Sequence, residues 1–414
     1  MAAYGLIGKK LAHSFSQAIH EKLGDVPYSL IPLLPDQLDG FLKRREFSGI
    51  NITIPYKKDV IPYCDMLDGR AKAIGAVNTI VNRNGRLYGY NTDFDGFSHT
   101  LRSNRIAVDG KVALVLGNGG ASQTVQAVLK EQGAGEVLVA SRNPIRGTIS
   151  YAEALRRPDV EIVVNATPVG MYPNTGESPL GLSGFKRLTA VIDLIYNPLR
   201  TALLMEAEEM HIPAVNGLFM LVAQAKAAAE LFRGESIPDE RTDEIYRDLR
   251  VQKSNLVLTG MPMSGKSTVG RIAADILQKE FVDIDQAIEE KAGLSIPEIF
   301  ERFNEAGFRE LEQEVVKEVS LRNGLVISTG GGTPLFRENI RNLRQNGCIA
   351  FLDRPLSQLS VGKGRPLAKS REEIEALYFT RYPIYRSSCD FVVDNRTEAG
   401  AAAENLARQY RQNC

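Results

Sequence analysis

The stretch NLVLTGMPMSGKST, residues 255–268, decides the fold of the region around it. Leu256, Val257 and Leu258 form a short apolar run, and four residues then separate Gly260 from Gly265, Lys266 and Ser267. A buried strand, a glycine-bounded loop and a helix start, in that order, are the context of a phosphate-binding loop. The candidate ATP-binding segment is therefore Gly260, Met261, Pro262, Met263, Ser264, Gly265, Lys266, Ser267 and Thr268. Backbone amides of such a loop surround a β-phosphate, the lysine reaches the β and γ oxygens, and the serine hydroxyl is a ligand for Mg²⁺.

More than half of the 414 residues precede this loop, and that length alone argues for two or three domains. Hydrophobic residues at 43% and charged residues at 24% are ordinary globular values that can bury substantial cores. Fifty Lys plus Arg balance fifty Asp plus Glu, so no general positive field draws in nucleic acid or an anionic membrane. Small molecules are the expected partners. Cys64, Cys348, Cys389 and Cys414 are scattered without metal-ligand spacing, as expected for reduced thiols. With no signal-peptide pattern and no apolar run near 18 residues, the expectation is a soluble cytoplasmic protein.

Strands alternate with helix-length amphipathic segments throughout, which predicts an α/β protein with parallel sheets. KVALVLGNGGAS (111–122) repeats the strand, glycine turn and helix pattern, this time in the form that approaches a dinucleotide pyrophosphate. Ser122 stands where a third glycine is usual. The next strand, EVLVASRN, ends in Ser141, Arg142 and Asn143. Arg142 occupies the place of the acidic residue that binds a ribose 2′-hydroxyl, and with Arg146 nearby it suits a 2′-phosphate, so NADP(H) is expected. The segment from Arg142 to Glu161 is short, which predicts a reduced crossover helix. PDERTDEIYRDLRVQ (238–252) has Ile245, Tyr246 and Leu249 at helical spacing and reads as a closing helix before a boundary near Ser254.

Other motifs of the first half carry the chemistry: HSFS (13–16), GINITIPYK (49–57), GAVNT (75–79), NTDFDG (91–96), NATPVGM (165–171), DLIYNPLRTALL (193–204) and NGLFMLVAQA (216–225). Ketone reduction needs a hydride donor and a proton donor at the oxygen, and Lys57 held by a carboxylate such as Asp93 suits the second of these roles. In order and spacing these motifs resemble shikimate dehydrogenase over residues 4 to 250. The resemblance implies that Lys57 and Asp93 are catalytic, and that Ser14, Ser16, Thr53, Asn78, Tyr196 and Gln224 join them in binding the substrate. It also implies an NADP site formed by Gly117, Asn118, Gly119, Gly120, Ala121, Ser141, Arg142, Asn143, Thr167, Met171 and Gly217. Gln17 and Glu21 depart from the residues usual after the serine pair.

Beyond the phosphate loop, FVDID (281–285) puts Asp283 and Asp285 on one face of a strand end. GFRELEQE (307–314) puts Arg309 and Glu312 on a helix, and STGGGT (328–333) follows a strand. With GRPL (364–367) and RYPIYR (381–386), these resemble shikimate kinase over residues 254 to 410. The resemblance implies that Asp285 orients or deprotonates the acceptor hydroxyl, and that Asp283 and Ser328 help Ser267 hold Mg²⁺. Arg309 and Arg381 would clamp a carboxylate beside Glu312 and the amides of Gly330, Gly331 and Gly332, with Arg365 arriving from a lid over ATP. Lys266 counts among the catalytic residues.

The expected domains are 1–103 with 218–252 for substrate, 104–217 as a Rossmann-type NADP domain, and 253–414 as a kinase domain of the parallel, nucleotide-kinase-like α/β/α type. The expected function is NADPH-dependent reduction of 3-dehydroshikimate followed by ATP-dependent phosphorylation of shikimate. Rival readings change the substrates, to quinate or another small polyol, or make one half a ligand sensor without turnover. Intact Lys57, Asp93, Lys266 and Asp285 weigh against the sensor.

Overall fold

A computed structural model describes residues 4–11, 14–24, 27–359 and 370–414. The chain forms two compact units, one of residues 1–196 with 201–246 and the other of 197–200 with 247–414.

The first unit contains two sheets. The six strands β1 (Tyr4–Gly8), β2 (Tyr28–Pro32), β3 (Gly49–Ile52), β4 (Met66–Leu67), β5 (Thr79–Arg83) and β6 (Arg86–Tyr90) lie in the order β2-β1-β3-β5-β6-β4. This sheet is mixed: β1 runs parallel to β2 and β3, whereas β5 is antiparallel to both β3 and β6. Asn51 of β3 faces Thr79, and Thr79 faces Tyr90. The end of β3, the start of β5 and the end of β6 therefore meet at one rim.

The second sheet is parallel, with β7 (Val112–Leu116), β8 (Glu136–Ala140), β9 (Ile162–Asn165), β10 (Ala190–Asp193) and β11 (Ala214–Val215) in the order β11-β10-β9-β7-β8. Both faces are covered, as the continuous apolar strands require. Ala113, Val115 and Val164 enter one core, and Leu114, Leu116 and Val163 enter the other. Phe94 and Phe97 from the helix Thr92–Ser103 share the first of these cores, so that helix ties the two sheets together. Between Ser141 and Glu161 the only helix is the four-residue Tyr151–Ala154, the reduced crossover that the short segment predicts.

The second unit is built on β12 (Asn255–Thr259), β13 (Glu280–Asp283), β14 (Leu325–Ser328), β15 (Gly347–Asp353) and β16 (Phe391–Asp394), all parallel in the order β13-β14-β12-β15-β16. Leu256, Leu258, Val326 and Leu352 pack one face, and Val257, Ile327 and Ile349 pack the other. The closing helix spans Asp239–Lys253. Lys279 Nζ donates to the carbonyls of Val251, Gln252 and Ser254 at 2.8, 3.0 and 2.8 Å, which satisfies exposed acceptors at that helix end. No helix among the described residues is long and apolar enough to cross a membrane.

Candidate active sites

At the rim of the mixed sheet, Lys57 follows β3, Asn78 precedes β5 and Asp93 lies in the first turn of the helix after β6. Lys57 Nζ donates to Asp93 Oδ2 at 2.5 Å, and both side chains are largely buried. Pairing in this setting holds the ammonium in one place and restricts the water around it.

Beneath the pair runs a buried polar chain. Tyr28 Oη donates to Asn51 Oδ1 (2.8 Å), Asn51 Nδ2 to Thr79 Oγ1 (3.0 Å), and Thr79 Oγ1 to Asn78 Oδ1 (3.1 Å). Asn78 Oδ1 also accepts from the Thr92 backbone N–H at 2.7 Å. Because the Asn78 oxygen is engaged, its NH₂ is the group left to donate to a ligand. The same bond to Thr92 fixes the helix turn that carries Asp93. Thr79 and Thr92 carry no signal in the sequence, since their role depends on a side-chain contact between strand and helix across 13 residues.

The other candidates in this unit are partly gathered. Ser14 Oγ donates to Ser16 Oγ at 3.1 Å, and Phe15 between them packs on Tyr196 with ring centres 5.2 Å apart. Burial raises the Tyr196 phenol above its ordinary pKa. Thr53 is half-buried one turn before Lys57. Gln224 is turned inward: its Nε2 donates to the Leu221 carbonyl at 2.8 Å, and its Oε1 accepts from Thr92 Oγ1 at 3.5 Å.

At the dinucleotide turn, Gly117 has φ of +102°, and a Cβ there would lie 2.9 Å from Thr167 Cγ2. Around Gly119 and Gly120 a Cβ would meet nothing within 4 Å, which leaves an open face at the start of the helix Gly120–Glu131. That face fits a pyrophosphate. Ser122 is fully buried and accepts from Gln126 Nε2 at 3.1 Å, so it packs under the helix. Asn118, Arg142, Asn143 and Arg146 are exposed, Ala121 and Ser141 are half-buried, and Met171 is exposed. Thr167 is held by Asn165, whose Nδ2 in turn donates to Asp193 Oδ1 at 3.0 Å. Gly217 caps the helix Leu218–Arg233, where any Cβ would strike the Leu194 carbonyl at 2.0 Å.

In the second unit the loop Gly260–Gly265 passes from β12 into the helix Lys266–Leu277. Gly265 sits at φ +88°, a left-handed conformation suited to glycine. Lys266 is buried, with Nζ donating to the carbonyls of Gly260 at 3.0 Å and Met261 at 2.9 Å. Met261, Pro262 and Ser264 are buried, whereas Met263 and Thr268 are exposed. Ser267 Oγ donates to Asp283 Oδ2 at 2.6 Å and lies 3.2 Å from Ser328 Oγ. One carboxylate and two hydroxyls make an all-oxygen set, which fits Mg²⁺ completed by water and phosphate oxygens. Asp283 also serves the backbone, since its Oδ1 accepts the Asp285 backbone N–H at 3.0 Å and caps the helix Ile284–Ala292.

The acceptor candidates converge on the glycines after β14. A Cβ on Gly330 would lie 2.8 Å from Asp285 Oδ1, and one on Gly332 would lie 2.5 Å from both terminal nitrogens of Arg309. Only bare backbone allows both groups so close. Arg309 Nη1 donates to Glu312 Oε2 at 2.8 Å and Nη2 to Glu305 Oε1 at 3.1 Å. Glu312 is fully buried, and its other oxygen accepts from Thr333 Oγ1 at 2.6 Å. Glu305, by contrast, is more than half exposed. It follows a break at Asn304, where φ is +56° and Asn304 Oδ1 accepts from the Ala306 backbone N–H at 2.8 Å.

Tyr385, which the sequence does not single out, joins these parts. Its hydroxyl donates to the Gly331 carbonyl at 2.5 Å, and both Arg381 and Arg309 lie near enough to draw its pKa down while burial pushes it up to about 12. Arg381 and Arg309, carried on different helices, thus both act on Tyr385. Arg365 lies outside the described residues.

Together, a Lys/Asp pair on a mixed sheet beside a parallel dinucleotide-binding sheet defines a two-part dehydrogenase, and the second unit defines a phosphoryl-transfer domain. The family model of the shikimate dehydrogenase substrate binding domain matches residues 6–80, and that of shikimate kinase matches residues 262–411. A shikimate dehydrogenase (NADP(+)) of Clostridium perfringens (strain 13 / Type A) is 35% identical over 268 residues, covering 60% of this chain and 99% of that protein. A solved chorismate mutase/shikimate 5-dehydrogenase fusion protein from Clostridium acetobutylicum superposes with TM-score 0.57 at 38% identity, over 60% of this chain and 97% of that one. A shikimate 5-dehydrogenase from Thermus thermophilus, solved in complex with NADP(H) and shikimate, gives TM-score 0.55 at 35% identity, over 60% and 99%. The chain belongs to the shikimate dehydrogenase family and continues into a shikimate kinase domain.

Proposed function

We propose that this bifunctional shikimate-pathway enzyme reduces 3-dehydroshikimate to shikimate at the Lys57/Asp93 site and phosphorylates shikimate at the Asp285/Lys266 site. The observation that carries the first assignment is the 2.5 Å Lys57–Asp93 pair at the rim where β3, β5 and β6 meet. Lys57 gives its proton to the oxygen of the substrate ketone, and Asp93 keeps the ammonium aimed at that oxygen. Asn78 donates to a ring hydroxyl, and the Ser14/Ser16 pair, with Tyr196 beyond Phe15, receives the substrate carboxylate. The open face at Gly119 and Gly120 would hold the pyrophosphate of NADPH and Arg142 its 2′-phosphate, and the cofactor when bound would supply the hydride.

In the second site Asp285 takes the proton of the acceptor hydroxyl while Arg309 and Arg381 hold the acceptor carboxylate in a fork. Lys266 neutralises charge developing on the transferred phosphoryl oxygens, and Ser267, Asp283 and Ser328 would hold Mg²⁺. We assign residues 1–103 with 218–252 to the substrate part, 104–217 to the NADP part and 253–414 to the kinase.

One coupled assay tests both activities. Supplied with 3-dehydroshikimate, NADPH and Mg·ATP, the purified chain is expected to oxidise NADPH and to form a phosphorylated product in the same tube. NADPH oxidation without ATP consumption, or the reverse with added shikimate, removes one of the two assignments.

A further inference from the structure

Apart from Arg365, the nucleotide residues named from the sequence all lie in the phosphate loop, yet the sheet places further polar groups beside it. The loop leaves the carboxyl end of β12, the central strand of the order β13-β14-β12-β15-β16. Asp283 ends β13, Asp285 lies in the first turn of the helix that follows it, and Gly330 to Gly332 follow β14, so these acceptor groups lie on one side of the loop. A nucleoside triphosphate whose γ-phosphate points toward them must extend the other way, over the carboxyl ends of β15 and β16, where ligands of open parallel sheets lie. Arg354 directly follows β15, and Asn395 directly follows β16.

Both side chains reach the loop. Asn395 Nδ2 donates to the Ser264 carbonyl at 2.6 Å. A Cβ on Gly265 would lie 3.3 Å from Asn395 Nδ2 and 3.8 Å from an Arg354 terminal nitrogen. Arg354 Nε and Ser264 Oγ are buried and have no hydrogen-bond partner among the described residues. The neighbouring carboxylates have other partners: Asp353 Oδ2 accepts from Tyr382 Oη at 3.0 Å, and Asp394 pairs with Arg396 at 3.5 Å. Buried polar atoms are rarely left unmet, and two beside one phosphate loop mark a place that a ligand completes.

We propose that Arg354 is a nucleotide-binding residue whose guanidinium contacts the nucleoside end of ATP, on the side of the loop away from the acceptor. A guanidinium is planar, weakly hydrated and able to lie against an aromatic base, which a lysine in the same place could not do. The proposal rests on the kinase reading of this unit.

Full-length wild type, Arg354→Ala and Arg354→Gln are titrated calorimetrically with ATP and, separately, with inorganic tripolyphosphate, in Mg²⁺ and without acceptor. Both variants are expected to bind ATP about tenfold more weakly, the loss of one stacked base contact, while tripolyphosphate binding stays at the wild-type value. Unchanged ATP affinity overturns the proposal, and so does an equal loss for ATP and tripolyphosphate, which would place the guanidinium on the phosphates or on the shape of the loop. Thermal unfolding of the two variants separates a local effect from a folding defect: if Arg354→Ala is destabilised, the uncharged but longer Arg354→Gln carries the test. Wild type that binds ATP but transfers nothing to shikimate refutes the kinase reading and leaves this titration to decide Arg354 by itself.

Discussion

The two catalytic regions hold their lysines in opposite ways. In the dehydrogenase unit Lys57 is already paired with the carboxylate proposed to work with it. In the kinase unit Lys266 rests on two carbonyls of its own loop, and Ser267 rests on Asp283. Folding alone completes the first arrangement, because the sheet and the helix that follows β6 bring both partners to one rim. The second stores its charged groups on internal partners that a triphosphate and Mg²⁺ would replace. An acid–base site can be finished in advance, whereas a phosphoryl site must stay exchangeable for ligands that carry most of its charge.

Substitutions can break this comparison, and the largest effect is expected in the kinase. Lys266→Ala should lower ATP-dependent phosphorylation of shikimate by about 10³-fold, with NADPH oxidation by the same preparation kept, because only the exchangeable site loses a cation. A comparable fall in both activities would show that the two sites are not separable. Next, Lys57→Ala should lower ketone reduction by roughly 10²-fold or more while phosphorylation stays, and near-normal turnover would remove Lys57 as the proton donor.

A stability measurement sharpens the same contrast. Asp193 is buried beside the dinucleotide turn, and burial raises its pKa to about 6 even though Thr201, Ile195 and Asn165 donate to it. The folded state therefore holds this proton more tightly than the unfolded chain does. Its contribution to stability is full below pH 4, near the ordinary carboxylate value, and is lost as pH rises through 6. Asp193→Asn should flatten the pH dependence of the unfolding free energy between those limits by about 2–3 kcal/mol, read from denaturant unfolding at several pH values. Identical pH slopes for wild type and variant would contradict this.

Smaller effects concern Arg309. Arg309→Lys keeps the charge but loses the fork, and the KM for shikimate in phosphorylation should rise about tenfold with kcat less affected. Glu305→Gln should act in the opposite direction. Its exposed carboxylate occupies the Arg309 edge that an acceptor carboxylate needs, so KM should fall by about two- to threefold, the modest scale of an exposed ion pair. A rise in KM would instead make Glu305 a support for Arg309.

Local patterns made much of this readable from the sequence. The strand, loop and helix at 255–268 and the short segment behind the four-residue helix Tyr151–Ala154 each depend on neighbours in the chain, whereas FVDID reads as a strand end carrying both carboxylates and Asp285 in fact lies in the first turn of the helix Ile284–Ala292. What escaped depends on distant pairing. Tyr385 reaches Gly331 across 54 residues, and Thr333 meets Glu312 across 21, so neither has a local signature. The break at Asn304 is hidden because apolar periodicity continues through it, while the side chain itself supplies the missing helix cap. Gln224 is named by the resemblance as a substrate-binding residue, but its turn toward Leu221 and Thr92 depends on packing that the sequence does not show.

Asp283 divides its labour between its two oxygens, one capping the helix that begins with Ile284 and the other holding Ser267. A divalent ion held by Ser267 and Asp283 would compete with only the second of these. The backbone that carries Asp285 is therefore anchored by the fold itself, before any nucleotide is present.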